Sequence, residues 1–92
     1  MEKIIKKLIS VGYPENAAKA TAMELSQIDS SLNNALASWM DNEVETDMTI
    51  EGFTLSELQA KHKMAYPAAL LTLDWLIKEP SLATAAINKG RK

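Results

Sequence analysis

Two prolines frame the most apolar stretch of the chain, AYPAALLTLDWLIKEP at residues 65–80. Proline fixes φ and lacks an N–H, so it fits the first turn of a helix and disrupts anything beyond it. A helix is therefore expected to start at Tyr66-Pro67 and to stop at about Glu79, ahead of Pro80. At about 100° per residue, Ala69, Leu70, Leu73, Leu76 and Ile77 gather on one broad stripe. Asp74 and Lys78 flank one side of that stripe, and Thr72 with Glu79 the other. Leu71 and Trp75 fall on the far side, one turn apart. A helix apolar on two faces is either wrapped on both or keeps one as a contact surface. The plainer reading is a central helix enclosed by the rest of the domain. The sharper one makes Leu71 and Trp75 an anchor, because tryptophan buries a large area with little rotamer freedom.

The remaining segments are also helical. In residues 2–10, Ile4, Ile5, Leu8 and Ile9 lie opposite the lysines, and Gly12 ends the helix. Pro14 fits the first turn of a second helix, in which Ala18, Thr21, Ala22 and Leu25 share a face. Asp29 or Ser30 can cap a third, with Leu32, Ala35, Leu36, Trp39 and Met40 as its apolar stripe. Thr54-Leu55-Ser56-Glu57 is a capping box that opens a short fourth helix ending near Lys61-His62-Lys63. After the proline-framed helix, Ser81 can cap a sixth, with Leu82, Ala85 and Ala86 facing inward and Gly90 as its stop.

With no convincing sheet, the expected fold is all-α, a compact bundle of about five to six short helices. It reads as one small domain, 1–92, with a three-helix half at 1–41 and a helical half at 54–89 that can share a core. Between them lies an acidic connector, 42–53, bordered by Asp41 and bearing Glu43, Glu45, Asp47 and Glu51. It is expected to be a solvated linker, although the alternation in DMTIEGF also suits an extended segment lying on the helices. Its acids permit a third, regulatory reading, in which it mimics nucleic acid to block a basic enzyme surface.

Composition narrows the chemistry. The chain has 92 residues, 47% of them apolar, with one Phe, two Tyr and two Trp, so its core must be mainly Leu, Ile and Met. A core of that size is marginal, and close helix packing or self-association would help it. A net charge of -2 gives no general reason to bind nucleic acid or anionic membrane. The N-terminal lysines 3, 6 and 7 precede no apolar run of signal-peptide length, and no stretch has the roughly 18–20 apolar residues of a membrane span. A small cytoplasmic domain of bacterial or phage type is the default.

No cysteine is present, and His62, the one histidine, is expected to be solvated between two lysines, which argues against zinc. DNEVETDMTIEG lacks the spacing of a calcium-binding EF-hand loop. Three glycines make no phosphate loop, and the serines occupy caps rather than nucleophile motifs. Asp41/Glu43 or Glu45/Asp47 as an acid–base pair would need a cleft that so small a helical chain has little room to build. The expectation is a protein without catalytic residues, cofactor, metal or small-molecule substrate.

Two resemblances bear on partners. Val11-Gly12-Tyr13-Pro14, the alanines of the second helix, and Ala35 with Trp39-Met40 make residues 3–41 resemble a ubiquitin-associated domain, although Val11 stands where methionine is usual. That resemblance implies a compact three-helix protein-binding module whose apolar patch would comprise Gly12, Tyr13, Trp39 and Met40. Residues 53–79 have the layout of a helix-turn-helix, with FTLSELQAKH, the turn KMAY, and PAALLTLDWLIKE. The spacing is similar to that of bacterial DNA-binding domains, and Lys61, His62 and Lys63 would reach phosphates. A recognition helix, however, offers polar and basic side chains near its start, where this one has Tyr66, Pro67, Ala68, Ala69 and Thr72. The reading is therefore an interaction protein that contacts a protein partner or itself. Its contact residues are Leu71 and Trp75, then Tyr13, Trp39 and Met40; the alternative is a DNA-binding regulator.

Overall fold

The computed structural model describes residues 2–41 and 47–89. Its elements are α1 (Glu2–Ser10), α2 (Glu15–Leu25), a 3-10 turn (Ser30–Leu32), α3 (Asn33–Met40), β1 (Thr49–Ile50), β2 (Phe53–Thr54), α4 (Leu55–Ala60), α5 (Tyr66–Lys78) and α6 (Pro80–Lys89). The fold is mostly helical, as the periodicity requires, and it divides into two compact units, Met1–Glu45 and Thr46–Lys92.

In the first unit, α1 turns Ile4 and Leu8 inward and packs on α2 and α3. The face it meets on α2 carries Ala18 and Ala22, both fully buried, whose small side chains let the two helix backbones approach. Gly12, at φ +109°, reverses the chain after α1, and the Tyr13 N–H donates to the Leu8 carbonyl at 3.0 Å. Pro14 lies just outside α2 rather than in its first turn, and its carbonyl accepts from the Ala18 N–H at 2.8 Å. Asp29 is the cap of the next element: its carboxylate accepts from the Ser31 N–H at 3.0 Å. Leu32, Ala35, Leu36 and Trp39 then bury one stripe, and the Lys3–Asp41 ion pair at 3.1 Å ties α1 to the end of α3. That pair is exposed and contributes at most about 1 kcal/mol. Glu43, Val44 and Glu45 of the acidic connector lie outside the described residues.

In the second unit, residues 47–54 depart from a solvated linker. Thr49 pairs with Thr54 and Ile50 with Phe53 in a small antiparallel hairpin. Its turn residues Glu51 and Gly52 both have positive φ, 51° and 83°, as a type I′ turn demands. The extended reading of DMTIEGF therefore describes this segment, and β1 packs on α5. The Asp47 carboxylate fastens the hairpin to α4 by accepting from the Ser56 hydroxyl at 2.9 Å, the Ser56 N–H at 3.2 Å and the Met48 N–H at 3.0 Å. Half of the expected capping box is made: Thr54 Oγ1 accepts from the Glu57 N–H at 3.0 Å, while the Glu57 carboxylate turns to Lys61.

α5 packs on α4 and α6 and starts and stops where its prolines predict. A single residue, Glu79, separates it from α6. Here the expected inward face is wrong. Leu82 is 60% exposed and Ala85 and Ala86 are also exposed, whereas Ala83 and Ile87 are buried. The cause is the short corner: the Glu79 carbonyl accepts from the Ala83 N–H at 3.0 Å, so α6 begins at Pro80 without a Ser81 cap. The line that meets α5 is then Ala83–Ile87, and Leu82 lies about 100° away from Ala83 on the wheel. The expected stop at Gly90 lies outside the described residues.

Candidate functional site

The stripe Ala69, Leu70, Leu73 and Leu76 of α5 is buried, so one of the helix's two apolar faces belongs to the core of its unit. The other does not. Trp75 is 38% exposed and Leu71, one turn earlier, is half-buried. The indole Nε1–H donates to Glu79 Oε1 at 3.2 Å, which satisfies its polar edge. Beside it the Lys78 ammonium pairs with Asp74 at 2.9 Å. An aromatic group held in place among charged neighbours is the general form of an interface anchor with a polar rim.

The other expected contact residues belong to the first unit. Trp39 is only 8% exposed, with the Lys7 ammonium 5.3 Å from its ring centroid. The third helix turns its widest side chain into the fold, and the Lys7 ammonium lies over the ring. Tyr13 in the α1–α2 loop and Met40 at the end of α3 are half-buried. Gly12, the remaining member of the patch implied by the ubiquitin-associated resemblance, is exposed. Large exposed apolar residues missed by sequence reasoning are Leu82, Val11, Ile9 and Met23.

The basic turn is reshaped as well. Lys61 is exposed and lies 3.5 Å from Glu57 across one helical turn, and Lys63 is exposed at φ 53°. His62 is half-buried rather than fully solvated. Its ring meets Phe53 edge-on, centroids 6.4 Å apart, and its Nε2 is buried without a hydrogen-bond partner. The left-handed Lys63 folds the chain back so that the Met64 N–H reaches the Leu58 carbonyl at 3.2 Å, and this brings His62 onto the hairpin. Tyr66, Pro67, Ala69 and Leu70, the opening turn of α5, are buried. Ala68 and Thr72 are half-buried, so the start of α5 presents small and apolar side chains where a recognition helix would carry polar and basic ones.

Among the described residues no three acidic or histidine side chains cluster to hold a metal, and no helix is long and apolar enough to cross a membrane. An open depression of about 430 Å³ is lined by Glu51, Pro80, Ser81, Thr84 and Ala85, and Glu51 is its one charged group. No family model, curated protein or solved structure matches the chain.

Proposed function

We propose that this chain is a non-enzymatic interaction module that docks a protein partner, or a second copy of itself, through the Leu71–Trp75 face of α5. The observation that carries the reading is a tryptophan 38% exposed on a helix whose Ala69, Leu70, Leu73 and Leu76 are buried, with its indole N–H already satisfied by Glu79. Such a ring gains by losing water and has little rotamer freedom left to lose.

The test is Trp75→Glu. Helical circular dichroism is expected to match wild type, because the ring is not part of the buried stripe. Association is expected to weaken at least about 30-fold, the loss of a hot-spot side chain worth about 2 kcal/mol. Light scattering over a concentration series reads this for self-association, and capture on immobilised protein reads it for another partner. Loss of helicity in the variant would return Trp75 to the core, and undiminished association in a folded variant would move the contact elsewhere.

A further inference from the structure

We draw no further inference here: the strongest candidate, the second exposed apolar patch formed by Ile9 and Val11 at the C-terminal end of α1, is an unpartnered face, and nothing in the structure shows what covers it.

Discussion

His62 contributes a ring that packs on Phe53 and an Nε2 that is buried without a hydrogen bond. A buried polar atom without a partner costs its desolvation with no bond in return. Phenylalanine keeps the edge-on aromatic contact and removes that atom, so His62→Phe is expected to stabilise the protein by about 1 kcal/mol, read as a higher urea midpoint at neutral pH. Asp47 acts in the opposite sense. The Ser56 hydroxyl, then the Ser56 N–H, stabilise its ionised form and hold its carboxyl below the usual carboxylate value. Its stabilising effect is therefore complete above that usual value and is lost as pH falls through it towards the lowered one. Between roughly pH 5 and pH 3, thermal melts of wild type should lose more stability than those of Asp47→Asn. An equal loss in both would mean that the Asp47 bonds do not hold the hairpin to α4.

At the scale of elements, α6 offers a paired comparison between residues of similar size and opposite placement. Ile87 is 6% exposed and Leu82 is 60% exposed. Ile87→Ala is expected to cost about 2–4 kcal/mol in denaturant unfolding, and Leu82→Ala about 0.5 kcal/mol or less. Equal costs would show that both sides of α6 are packed. This helix also marks where sequence stops being informative. The limits of α5 were readable because proline and the backbone conformation before it leave few choices, and the Thr54 cap was readable because a hydroxyl three residues before Glu57 has an obvious donor to meet. The inward face of α6 was not, because it is set by a one-residue corner after Glu79 and not by the distribution of its apolar residues. Glu51-Gly52 lacks the Asn-Gly or Asp-Gly signature of tight hairpins, so β1 and β2 were visible only as a weak alternation. Periodicity put Leu71 and Trp75 on a separate face of α5 and put Trp39 on a clean stripe, but it does not say which stripe another element will cover.

At the scale of the molecule, each of the two units spans about 45 residues, a size at which a single core buries too little surface for much stability. Their largest fully buried side chains are all leucines, with Leu8, Leu25 and Leu32 in the first and Leu55, Leu58, Leu70, Leu73 and Leu76 in the second. Close packing of small residues, as at Ala18 and Ala22, and a further contact outside the chain are the two ways such units gain stability. The division of the chain also distributes its two indoles, Trp39 to the first unit and Trp75 to the second. Each half thus carries its own intrinsic fluorophore, and no dye is needed to watch them separately. Trp75→Phe should leave an emission that is blue-shifted and poorly quenched by acrylamide, because the remaining Trp39 is enclosed. Trp39→Phe should leave a red-shifted emission that acrylamide quenches readily, and shielding of that signal on mixing with a partner would report docking at α5 in real time.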